Sequence, residues 1–117
     1  MSLGQAIARR NQENREDRLK ILVPGYGEDG GDLVIFSTPV SARDLRRIQS
    51  KHKNFLQDMQ IEGMVDLIIL KALDQNGDKA FTLEDKQTLL DCEIGIVSEI
   101  AGKMFGTDND LESIEKN

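Results

Sequence analysis

Apolar positions recur along this chain with two different periods, and the changes of period divide it into elements. Residues 1–18 have few apolar anchors after Ile7 and are otherwise rich in Arg, Gln, Asn and Glu. Such a stretch buries too little to offset its ordering entropy, so it reads as a flexible or frayed helical arm. Lys20-Ile21-Leu22-Val23, stopped by Pro24, and Asp32-Leu33-Val34-Ile35-Phe36, ahead of Pro39, then read as two short strands. The glycine-rich loop between them suits a chain reversal, which predicts a β-hairpin.

The period then becomes helical. Ser41-Ala42-Arg43-Asp44 has the form of a capping box, and Leu45, Ile48, His52, Phe55, Leu56 and Met59 follow at helical spacing. Arg46, Arg47, Lys51 and Lys53 fall between them, which predicts a helix with an apolar stripe and a basic outer surface. Over residues 61–73 the apolar positions nearly encircle the helix, the mark of a segment at the centre of a core or across an interface. Gly63 within it either bends the helix or lets a neighbour pack close. A turn at residues 74–79 precedes Thr82-Leu83-Glu84-Asp85, a second capping-box start for a helix running to about Asp91. A last helix carries Ile94, Val97, Ile100, Ala101, Met104 and Phe105 and stops at Gly106. Residues 107–117 hold four acids and two isolated aliphatics and read as an acidic mobile tail. The pattern predicts an α+β, mainly helical domain over residues 19–106, with one hairpin and then about four helices.

Composition narrows the function classes. The 117 residues include no Trp, one Tyr, one His and one Cys, so aromatic stacking and His-based chemistry have little material. The longest strongly apolar run, residues 67–70, is far short of the roughly 20 residues that cross a bilayer. The first residues have no signal-peptide core, and a lone Cys92 fits a reducing compartment. These features predict a soluble, intracellular protein. The net charge of -6 conceals a split: residues 1–54 hold 10 bases and 7 acids, while residues 55–117 hold 5 bases and 14 acids. Opposite-sign halves are either two solvated faces or a means of attracting a partner, including a second copy.

Each candidate motif has a plainer alternative. Gly25-Tyr26-Gly27-Glu28-Asp29-Gly30 matches G-x-G-x-x-G, but a strand rather than a helix follows, and two carboxylates sit where phosphates would approach. A hairpin loop is the better reading. Asp74-x-Asn76-Gly77-Asp78 resembles the start of a calcium loop with its register broken, since Lys79 takes the glycine slot and position 12 is Asp85. A plain turn accounts for it. No nucleophile–base pair is available, Cys92 lies between two acids, and His52 falls on an apolar stripe, so no enzymatic activity, metal or cofactor is expected. Arg43, Arg46, Arg47 and Lys51 form a basic cluster without interleaved aromatics, in a chain of pI about 4.7. That favours a protein partner or solvent over nucleic acid.

The succession from Met59 to Ala72, then Asp74-Gln75-Asn76-Gly77-Asp78-Lys79-Ala80-Phe81-Thr82-Leu83-Glu84-Asp85, resembles the tail assembly chaperones of long-tailed bacteriophages. In that family an apolar helix is followed by an Asp/Gly turn, a Phe-Thr-x-Glu-Asp helix start and a final helix. Here the final helix closes Ile100-Ala101-Gly102-Lys103-Met104-Phe105-Gly106. The hairpin, Tyr26-Gly27 and Ser41-x-x-Asp44-Leu45 are similar too, so the likeness covers roughly residues 19–106. It implies a non-enzymatic protein of the bacterial host cytoplasm, absent from the mature virion and corresponding to the short, non-frameshifted product. Its implied partners are the tape measure protein and the tail tube protein, and it is expected to form a homo-oligomer. A tape measure protein has a long apolar surface, for which Phe55, Met59, Met64, Met104 and Phe105 are candidate adaptable contacts, or else ordinary core residues. The alternatives are a tail completion or minor tail protein retained in the particle, and a small calcium-responsive adaptor.

Overall fold

The computed structural model describes residues 2–58 and 60–106. Its first element, α1 (Leu3–Glu16), is a helix capped reciprocally by Ser2 and Gln5, and none of its residues is buried. Strands β1 (Leu19–Val23) and β2 (Leu33–Ser37) pair antiparallel, with Ile21 opposite Ile35 and Leu22 opposite Val34. Alternation sends Ile21, Val23 and Ile35 into the core, and Leu22 and Val34 to the outer face. The G-x-G-x-x-G stretch is the loop between these strands, closed by the Gly25 and Gly27 N–H groups on the Gly31 carbonyl at 3.0 and 2.9 Å. The far edge of β2 is paired at one residue: Phe36 and Leu73 exchange both backbone hydrogen bonds, at 2.9 and 2.7 Å.

Helix α2 (Ala42–Lys51) follows, then α3 (Ile61–Lys71), a 3-10 turn (Leu83–Asp85) leading into α4 (Lys86–Leu90), and α5 (Ile94–Phe105). The α+β class and the hairpin agree with the sequence pattern, and α1 adds a fifth helix. Val65, Leu67 and Ile68 of α3 have no exposed surface and form the centre of the core, against which α2, α4 and α5 pack. The far side of α5 covers β1, so a single core joins the sheet to the helices. Lys79 closes the C-terminal end of α3, its ammonium donating to the Ile69 and Leu70 carbonyls at 3.2 and 2.9 Å.

Helix α2 is shorter than its periodicity predicts. The stripe to Met59 implied one helix, but α2 stops at Lys51, with His52 as its C-cap and residues 53–57 in turns. The cause is tertiary. The His52 imidazole turns to Asp66, at 2.8 Å, and the Phe55 ring lies against Gly63, where a Cβ would come within 2.5 Å of it. Both contacts need the chain to fold back over α3, which a continued helix forbids. Gly63 therefore serves close approach.

The Asp74–Asp78 segment is a turn, as the sequence suggested. One carboxylate oxygen of Asp74 accepts from the Asn76 and Asp78 N–H groups at 2.8 and 3.0 Å. Gly77 has φ +87°, and a Cβ there would lie 2.9 Å from the Arg18 guanidinium. A Gly77→Ala variant should lose roughly 1–2 kcal/mol, from left-handed backbone strain plus displacement of Arg18. Thermal unfolding of the purified variant checks it: an unchanged midpoint would show that the turn relaxes freely.

Candidate functional site

The basic surface of α2 is built from its cap outward. Ser41 accepts from the Asp44 N–H at 3.1 Å, and the Asp44 carboxylate accepts from the Ser41 N–H at 3.0 Å. The same carboxylate oxygen lies 2.8 Å from the Lys71 ammonium, tying the start of α2 to the end of α3. Burial alone would push the Asp44 carboxyl up, but the hydrogen bonds and charge of Lys71 and the Ser41 contacts outweigh it and hold it below 3.8. With Ile48 buried and Leu45 half-buried, the helix is fixed in rotation.

That rotation sends Arg43, Arg46, Arg47 and Lys51 to the solvent side, all exposed. Their spacing, i, i+3, i+4 and i+8, makes one continuous strip about 12 Å long, and Lys53 is exposed in the turn that follows. Among the described residues none of these five cations has a carboxylate within ion-pair distance. Arg9 and Arg10, by contrast, pair with Glu13, and Lys103 pairs with Glu99. Like charges at such spacing slightly destabilise a helix, so the strip adds nothing to folding and is free to attract an acidic surface. At its N-terminal end lies a groove of about 660 Å³ between α1 and residues 38–44, with Arg15 and Arg43 on its walls.

The apolar candidates distribute differently. Phe55, Met64 and Met104 are core residues in this fold, not surface contacts: Phe55 and Met104 have no exposed area and Met64 only 6%. Their helical spacing reflected intramolecular packing. Phe105 is half-buried, its ring stacked on Phe55 with centroids 6.3 Å apart, and Met59 lies outside the described residues. The sheet presents other apolar groups. Leu22 and Val34, directly opposed on the outer face of the hairpin, are 42% and 37% exposed. Leu56, Ile61, Leu83 and Ile94 are exposed as well. The sequence carried no clear signal for Leu22, because a strand apolar at consecutive positions can be covered on one face or on both.

The half-buried titratable groups Asp66 and His52 are already engaged. Asp66 receives His52 at 2.8 Å on one oxygen and the Lys86 ammonium at 3.1 Å on the other, joining the chain after α2 to α3 and α4. Cys92 is partly buried, with its Sγ 3.6 Å from the Thr88 carbonyl. Among the described residues, no three His, Cys, Asp or Glu side chains converge as metal ligands, and no helix is long and apolar enough to cross a membrane. Searches against family models, curated proteins and solved structures return no match. The arrangement is suited to reversible, charge-steered protein contact.

Proposed function

We propose that the chain is a tail assembly chaperone of a long-tailed bacteriophage, binding the tape measure protein and recruiting tail tube subunits without catalysis. The observation that carries this reading is the order of its parts. A hairpin, an apolar helix, an Asp/Gly turn, a Thr82–Asp85 cap and a final helix ending at Gly106 follow one another as in the family the sequence resembles. The surface supports it: an unpaired basic strip for steering and singly exposed apolar groups for contact, with rigid core residues excluded from the role. The exposed pair Leu22 and Val34 takes the contact role for which Met64 and Met104, both buried, were only candidates.

Co-expression with a tape measure protein and the tail tube protein from the same genome tests the proposal. The expected result is a co-purifying complex that weakens by about tenfold or more, equivalent to about 1.4 kcal/mol, in a Leu22→Glu/Val34→Glu variant. Mass spectrometry of purified virions should not find the chain. Its presence there would make it a retained tail component, and absence of any complex would overturn the proposal.

The basic strip and the acidic remainder of the chain have opposite sign, which favours association between copies. Oligomers held this way should dissociate as salt approaches about 1 M, where the screening length falls to about 3 Å. Sedimentation across a salt series reads this directly. Salt-resistant oligomers would assign the contact to the exposed apolar groups instead.

A further inference from the structure

The groove beside α1 lies where the chain leaves the last helix. The Val40 N–H, on the groove wall, donates to the Met104 carbonyl at 3.2 Å, which fixes the end of α5 beside it. Residues 107–117 start there and carry Asp108, Asp110, Glu112 and Glu115 against the single base Lys116. The groove has the opposite sign. Asp44 is neutralised by Lys71, whereas Arg15 and Arg43 have no carboxylate partner among the described residues. Pro39, Val40 and Ala42 are apolar residues of its lining, and Leu111 and Ile114 are the apolar residues of the segment.

We infer that this groove is a binding site for an acidic peptide, and that its resident ligand is residues 107–117 of the same chain. Eleven residues reach up to roughly 36 Å when extended, about three times the α2 strip of about 12 Å. A tether this short gives an effective concentration in the millimolar range, so weak ion pairs to Arg15 and Arg43 suffice to hold the segment. This inference stands independently of the tail-assembly reading.

Paramagnetic broadening in the full chain tests it. A nitroxide at Ser113→Cys, in a Cys92→Ser background, should broaden the amides of residues 38–44 and the Arg15 side-chain N–H. Most of that broadening should be lost in about 1 M salt. It should also be lost in an Arg43→Glu variant and in a segment carrying Asp108→Asn, Asp110→Asn, Glu112→Gln and Glu115→Gln. The neutralised segment keeps the tether and leaves the folded body untouched, so equal broadening there would reduce the contact to mere proximity and overturn the inference. Broadening seen only when labelled and isotopically distinct copies are mixed would move the ligand to a second molecule and also overturn it. Absence of broadening at residues 38–44 would do the same.

Discussion

Substituting alanine for Gly63 should destabilise the protein, and the same substitution should stabilise it once Phe55 is removed. The new Cβ would stand 2.5 and 2.7 Å from two ring carbons of Phe55. The ring has no room to retreat, being fully buried and stacked on Phe105. Overpacking of this kind costs roughly 1–3 kcal/mol. Against it stands a gain of up to about 1 kcal/mol from replacing a glycine in the first turn of α3, so the net loss in the parent is up to roughly 2 kcal/mol. Phe55→Ala alone should cost about 3–5 kcal/mol, a large share of a small domain's stability. In that background the space above residue 63 is open, the clash is gone, and the helix-propensity gain of up to about 1 kcal/mol remains. Denaturant unfolding of the four proteins reads the reversal as a coupling of roughly 1–3 kcal/mol, the cost of the clash itself. The same sign for Gly63→Ala in both backgrounds would show that Phe55 does not rest on α3 as described.

That contact also marks where the sequence stopped being legible. Locally determined features could be read directly: the Ser41/Asp44 cap, the Asp74–Asp78 turn, the strand stop at Pro24 and the helix stop at Gly106 each depend on neighbours within a few residues. The end of α2 was not legible. His52 and Phe55 keep the helical period of Leu45 and Ile48, and only Asp66 and Gly63, on the next helix, pull them out of it. The Leu73 bridge to Phe36 is one residue long and leaves no period at all. The basic half of the site was readable because charge at i, i+3 and i+4 has one geometric meaning on a helix. Its apolar half was not. Periodicity places Met64 and Met104 on a covered side, but it is silent on whether the cover is this chain or another. Leu22 was hidden by the opposite ambiguity, an apolar residue in a strand whose sheet is covered on one face only.

Asp66 is the second position where a single change should be felt throughout the helical half. Its side chain is 11% exposed, and its two oxygens hold the His52 imidazole and the Lys86 ammonium, from two other segments. Burial alone would push its carboxyl up; the hydrogen bonds and charges of His52 and Lys86 outweigh this and hold it below 3.8. Removing one partner from a fully buried pair costs about 3–5 kcal/mol, and the solvent-facing side of Lys86 reduces that here, so Asp66→Asn should cost roughly 2–3 kcal/mol near neutral pH. The pH dependence follows from the direction of the shift. A carboxyl lowered by folding contributes stability that is complete above the unfolded value of 3.8 and is lost as pH falls through the folded value. Below that point the parent carries a neutral carboxyl between the His52 ring and the Lys86 ammonium, as the variant carries a neutral amide there at every pH. The stabilities of parent and variant should therefore converge in acid, with the parent losing more on the way down. Asp44, lowered by Lys71 and Ser41, contributes an acid loss of the same sign to both proteins and cancels in their difference. Unfolding free energies measured from about pH 7 down to about pH 2 decide the matter. A deficit in Asp66→Asn that persists unchanged into acid would mean the carboxylate acts by shape and packing, and that His52 and Lys86 are not held by its charge.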